Sequence, residues 1–184
     1  ADTVSLSTDR MWPLTGEPQE GTVRSQGTTI RVLLADDHAL FRNGLDRLLK
    51  NEPGLEVVGQ ANDGKEAIDL AQKLKPDVIL MDLLMPGMGG LEAISEIFGA
   101  NPQAKVLVLT SLEEEEKILA AVQAGALGYF PKTAPREYLL DAIRKVADGV
   151  PYLPAGITLK LFKSLRAAKK TGLAVTYQEP VTLR

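Results

Sequence analysis

Between Ile30 and Gly149 short apolar runs alternate with stretches of helical spacing, and the alternation repeats five times. The runs are IRVLLA (30–35), LEVVGQ (55–60), DVILMD (77–82), AKVLVLT (104–110) and ALGYF (126–130). Most are apolar at consecutive positions, which predicts strands buried on both faces of a sheet. The intervening stretches are ALFRNGLDRLLK (39–50), GKEAIDLAQKLK (64–75), GLEAISEIF (90–98), EEEEKILAAVQAG (113–125) and PREYLLDAIRKVADG (135–149). Pro76 stops the second of these helices and Gly149 closes the fifth. Strands that are followed each by a helix form a parallel sheet with helices on both faces, so the fold class is open α/β.

One of those strands ends in a way that asks for an explanation. ILMDLLMPGMGG (79–90) runs from core into a carboxylate, Asp82, and then into a turn rich in proline and glycine. A buried charge is costly unless something compensates it. In an open sheet of five strands ordered 2-1-3-4-5, function collects beyond the carboxyl ends of strands one and three, where the winding reverses. Those ends are Asp36-Asp37 and Asp82; strand four ends at Thr110-Ser111, and Lys132 follows strand five. Three carboxylates on one rim repel, and a hard cation such as Mg²⁺, which takes carboxylates, waters and phosphoryl oxygens, relieves that repulsion. A carboxylate held beside it can also attack phosphorus, with the Lys132 ammonium and the Thr110 hydroxyl neutralising and positioning the transferred group.

Composition narrows the alternatives. The 184 residues contain no cysteine, which excludes disulfides and thiolate metal sites, and the single histidine, His38, argues against a histidine-rich zinc site and a Ser-His-Asp triad. The formal charge of −3 argues against binding nucleic acid by bulk charge. Without a long apolar run or a signal-peptide pattern, the expected location is cytoplasmic, with no membrane partner.

The motifs LLADDHALFRNGL, VILMDLLMPGMGGLEAI, VLVLTS and AGALGYFPKTA, in this order and spacing, resemble the receiver domain of bacterial two-component response regulators. DDHALFRNGL and YLLDAIRKVADGVPYL are most similar to the subfamily with a LuxR/NarL-type helix-turn-helix output domain. The resemblance implies a flavodoxin-like receiver fold and a phosphorylation-dependent signalling switch. Asp82 would accept a phosphoryl group from a sensor histidine kinase. Asp37 would bind Mg²⁺ directly, Asp36 would assist, and Leu84 would offer its backbone carbonyl. Thr110 and Lys132 would contact the phosphoryl group, and Tyr129 would be the aromatic switch residue.

It further implies a homodimer when phosphorylated and no enzymatic turnover beyond the protein's own phosphorylation and dephosphorylation. DNA would be reached only through an output domain of which VTLR (181–184) resembles the opening. On this reading 1–28 is a flexible leader, 29–150 the receiver, and 151–184 a linker helix, ITLKLFKSLRAAKK (157–170), with a tail. A stand-alone receiver acting through protein binding is the alternative. A Mg²⁺-dependent phosphohydrolase is disfavoured by Leu84, which stands where such enzymes place a second acid. Leu84 and Leu112, unable to orient a water, lead us to expect a long-lived phosphoryl group. His38 reads as a surface residue at the start of the first helix.

Overall fold

The computed structural model of the chain describes residues 28–111 and 114–170. Trp12, Leu112, Glu113, the tail beyond Lys170 and all but the last residue of the expected leader lie outside the described residues.

Among the described residues, five strands alternate with five helices and a sixth helix follows. They are β1 (Ile30–Ala35), α1 (Ala39–Lys50), β2 (Leu55–Ala61), α2 (Gly64–Leu74), β3 (Val78–Met81), α3 (Gly90–Ala100), β4 (Val106–Thr110), α4 (Glu115–Ala124), β5 (Gly128–Pro131), α5 (Arg136–Ala147) and α6 (Ala155–Lys170). All strand pairs are parallel and their order is β2-β1-β3-β4-β5, as expected from the sequence.

Because β1, β3 and β4 are apolar at nearly every position, the sheet can send alternate residues into two separate cores. Ile79 and Met81 of β3 join one core with residues of α2, α3 and α4, while Val78 and Leu80 join the other with residues of α1 and α5.

Helix ends follow local chemistry. The Asp63 carboxylate caps α2 by accepting the Glu66 N–H at 2.9 Å, and the Glu66 side chain accepts the Asn62 N–H at 2.8 Å. At the other end Lys75 takes a left-handed conformation (φ 47°) and Pro76 prevents continuation. Helix α4 starts at Glu115 rather than Glu113, with Glu115 and Glu116 in its first turn where acids favour the helix dipole. Helix α6 begins two residues before the apolar spacing does, at Ala155, because the Pro154 carbonyl already accepts the Thr158 N–H at 3.1 Å.

The register of the sheet sets the rim. Ala35 of β1 is level with Met81 of β3, so the residues that follow them, Asp36 and Asp82, emerge side by side. The Asp82 N–H donates to the Ala35 carbonyl at 2.9 Å and fixes that alignment.

Candidate functional site

The turn behind Asp82 is built by two glycines with different tasks. Gly87 has φ +72°, a conformation that side chains resist. At Gly90 a Cβ would come within 2.0 Å of the Asp82 carbonyl oxygen, so only glycine lets α3 start against the backbone of the acid. The Gly90 N–H donates to the Leu83 carbonyl at 3.1 Å. No side chain caps α3, whose N-cap is Gly89. The sequence MPGMGG thus gives up a capping side chain but keeps the close approach that pins Asp82.

Asp36 and Asp82 are each only 3% exposed, and Thr110 is fully buried. Such carboxylates need partners, and Lys132 provides one. Its Nζ donates to Asp36 Oδ2 at 2.6 Å and to Asp82 Oδ2 at 2.8 Å. Its backbone N–H donates to the Thr110 carbonyl at 3.0 Å, which ties the loop after β5 to the end of β4. The ammonium also lies 4.4 Å from the centre of the Phe41 ring, an arrangement that favours a cation. Burial is the largest influence on its pKa and acts to lower it. The hydrogen bonds and charges of Asp36 and Asp82 together outweigh it and hold the group above the ordinary lysine value.

Of the remaining carboxylate oxygens, two have protein donors and one is buried without a partner. Asp82 Oδ1 accepts the Leu84 N–H at 3.1 Å, and Asp36 Oδ1 accepts the His38 N–H at 2.8 Å. Asp37 Oδ1 is buried and has no hydrogen-bond partner. One ligand atom from each of Asp36, Asp37, His38 and Asp82 lies within 4.8 Å of the others. Three acids that converge on one point, one of them with a buried oxygen left unsatisfied, fit a hard divalent cation.

The structure thus brings Asp36, Asp37, Asp82 and Lys132 together, and links Thr110 to them through the Lys132 backbone. Leu84, two residues after Asp82, is 47% exposed; Leu112 lies outside the described residues. Tyr129 lies two strands from Asp82 and is buried in the core on the α3–α4 side, together with Ile157 of α6.

Three participants were not anticipated. His38 was expected on the surface, and its side chain is 66% exposed, yet Nδ1 is 3.2 Å from both Asp36 Oδ1 and Asp37 Oδ1. Its place beside Asp37 at the helix start was the available signal. Arg42 donates to the Asp36 carbonyl through Nη1 and to Gln60 Oε1 at 3.0 Å through Nε. Phe41 covers Lys132. Both sit in the first turn of α1, one residue apart, where helical spacing alone reads as ordinary amphipathicity.

Residues 32–144 match the model of the response regulator receiver domain. The chain belongs to that family. It is 43% identical over 144 residues to the transcriptional regulatory protein LiaR of Bacillus subtilis, covering 78% of this chain and 68% of that one. It is 46% identical over 132 residues to the response regulator GacA of Pseudomonas aeruginosa, covering 72% of this chain and 62% of that one. The matched part of the chain thus spans about two thirds of the length of these relatives.

Among solved structures, it resembles a LuxR-family two-component response regulator from Aurantimonas sp. SI85-9A1, with a TM-score of 0.68 and 34% identity over 76% of this chain and 99% of that one. The receiver of the putative response regulator NarL from Mycobacterium tuberculosis gives a TM-score of 0.64 and 34% identity over 67% of this chain and 99% of that one. The fold is therefore the flavodoxin-like receiver fold, in a chain whose relatives are LuxR-family regulators of two-component systems. Receivers of this family are signalling proteins that work with histidine kinases, and they bind Mg²⁺ at an acidic pocket like this one. No helix among the described residues is long and apolar enough to cross a membrane.

Proposed function

We propose that this receiver is a phosphorylation-dependent switch in which Asp82 accepts a phosphoryl group from a phosphohistidine of a sensor kinase. The observation that carries the reading is the pairing of buried Asp82 with Lys132, beside the unsatisfied Asp37 oxygen. Asp36, Asp37, Asp82 and the Leu84 carbonyl would hold Mg²⁺, whose charge would offset that of the incoming phosphoryl oxygens.

In the transfer, a carboxylate oxygen of Asp82 forms a bond to phosphorus while the phosphorus–nitrogen bond of the donor breaks. The electron pair of that bond returns to the donor imidazole. Asp82 is held for the attack by the Leu84 N–H at Oδ1 and by Lys132 at Oδ2. As charge moves onto the phosphoryl oxygens, Lys132 shifts its bond from the Asp82 carboxylate to one of them, and keeps Asp36 as its second acceptor. The Thr110 hydroxyl would bind another phosphoryl oxygen, and Tyr129 would follow it from β5.

The output follows from what adjoins Tyr129. Helix α6 packs on α4, with Ile157 buried in the same core as Tyr129, so a change at β5 would have a route to the segment that follows the receiver. We take residues 1–28 as a leader, 29–150 as the switch and 151–184 as a linker toward a LuxR-type DNA-binding domain. Phosphorylation would favour a homodimer in the cytoplasm, and DNA contact would belong to the output domain alone.

Incubation with a small phosphodonor and Mg²⁺, followed by mass spectrometric localisation, tests the chemistry. The expected result is a single adduct at Asp82 and its complete loss in Asp82→Asn. Full labelling of that variant would overturn the assignment.

A further inference from the structure

We infer that the His38 imidazole is a fourth ligand of the acidic pocket, which makes it a site for borderline transition ions such as Zn²⁺, Ni²⁺ and Cu²⁺ as well as for Mg²⁺. The inference rests on the reading of the pocket as a cation site, and it concerns what this chain adds to that site.

Geometry comes first. His38 Nδ1 lies 3.2 Å from Asp36 Oδ1, 3.2 Å from Asp37 Oδ1 and 4.0 Å from Asp82 Oδ2. Ligands about 2.0–2.2 Å from a tetrahedral zinc are separated from one another by roughly 3.3–3.6 Å, so the first two spacings are close to those of ligands sharing one ion, and the contact with Asp36 Oδ1 is a hydrogen bond that an ion would replace. The four ligand atoms all lie within 4.8 Å of one another, so the set would draw together to share a single ion.

The backbone holds the imidazole there. His38 is the N-cap residue of α1, but its side chain makes no capping bond. Its N–H is bound to Asp36 Oδ1 at 2.8 Å, and its carbonyl accepts the Arg42 N–H at 3.0 Å. The ring is therefore anchored at its root beside Asp36 and Asp37, and not engaged by the helix end. The orphaned Asp37 Oδ1 lies on the same side, within reach of the same ion.

Chemistry then separates the metals. Carboxylates alone suit Mg²⁺, whereas imidazole suits Zn²⁺, Ni²⁺ and Cu²⁺, and affinity for mixed nitrogen and oxygen donors rises along the divalent series toward Cu²⁺. A pocket of three acids would bind both classes; adding His38 raises only the second. Such an ion would displace Mg²⁺ from Asp37 and Asp82, so availability of transition metal would bear on phosphorylation.

This chain offers an unusually clean test, because it has no cysteine and His38 is its one imidazole. The tag-free, metal-stripped 184-residue chain is titrated with Mg²⁺, Zn²⁺ and Ni²⁺ by calorimetry, alongside His38→Gln and Asp37→Asn. With Cu²⁺, pulsed EPR reads the remote-nitrogen modulation that only imidazole ligation gives. We expect one Zn²⁺ per chain, an affinity loss of about 10–100-fold in His38→Gln, and Mg²⁺ affinity unchanged within about twofold. Asp37→Asn weakens both classes, and the copper spectrum of the unaltered chain carries the imidazole signature.

Retained Mg²⁺ binding by His38→Gln also shows that the variant is folded. Zinc affinity that His38→Gln leaves unchanged, or a copper spectrum without imidazole, overturns the inference while the Mg²⁺ site stands. Absence of binding by Mg²⁺ and Zn²⁺ alike overturns both.

Discussion

On one face of the sheet, α1 and α5 cover Val32, Leu34, Leu80, Leu107 and Phe130; on the other, α2, α3 and α4 cover Leu33, Ile79, Met81, Val108 and Tyr129. The segment after α5 contributes to both, but by different means. Tyr152 enters the first core with its backbone stitched to β5: the Tyr129 N–H donates to the Tyr152 carbonyl at 2.8 Å, and the Tyr152 N–H to the Leu127 carbonyl at 3.2 Å. Ile157 enters the second core as a side chain of α6, fully buried, aided by Leu161 and by the Lys160–Glu115 ion pair. The rest of α6 exposes Leu159, Phe162 and Leu165. One face is therefore closed by elements joined through the sheet. The other, which holds Tyr129, is completed by a helix that can leave without breaking a strand hydrogen bond.

That contrast can be broken by truncating each core in turn. Phe130→Ala, on the face closed by α1 and α5, removes a fully buried ring and should lower unfolding free energy by about 3–5 kcal/mol. Urea denaturation reads this as a fall in midpoint with the slope unchanged. Ile157→Ala should do less, below about 2 kcal/mol, because release of α6 caps the cost. Limited proteolysis should then cut within 155–170 while the receiver stays intact. A loss equal to that of Phe130→Ala, with no selective cleavage, would mean that α6 is as integral to the fold as β5.

The alkaline limb of stability sharpens the comparison. Lys132 at the rim is held above the ordinary lysine value, the opposing effect of burial outweighed by Asp36 and Asp82. Tyr152 in the first core is also raised, by burial first and then by the charges of Asp141 and Tyr138. A raised folded-state pKa gives stability that is complete below the unfolded-chain value, about 10.4 for lysine and about 10 for tyrosine, and is lost as pH rises through the folded value. Stability should therefore fall above pH ~10, and both Lys132→Met and Tyr152→Phe should flatten that fall. Lys132→Met should also be less stable at neutral pH, since it leaves Asp36 and Asp82 without their cation. Chemical denaturation at a series of pH values measures both; an unaltered alkaline slope in Tyr152→Phe would show that its ring is not held neutral by the core.

The smallest effect belongs to the surface pair. Lys160 and Glu115 are both partly exposed, so Lys160→Ala should change stability by about 0–1 kcal/mol and lose even that in high salt. A larger, salt-resistant change would show that the pair, and not Ile157, docks α6.

Much of this was written in the chain itself. Apolar runs alternating with helical spacing determine strands buried on both faces, and β1 and α1 have the bounds that their periodicity predicts. Asp36, Asp37, Asp82, Thr110 and Lys132 were legible because strand ends on a parallel sheet must share a rim. What the sequence could not decide is what depends on direction and distance. Consecutive apolar residues in β5 do not say that Tyr129 and Phe130 part to opposite cores, since alternation appears only once the sheet exists. A histidine beside two acids does not say that its ring turns back toward them; the N-cap backbone of α1 and the Asp36 carboxylate decide that. Nor does an apolar stripe of Ile157, Leu161 and Leu165 in a basic helix say which member fills a core, because α4, against which α6 packs, lies earlier in the chain and meets it only in the fold.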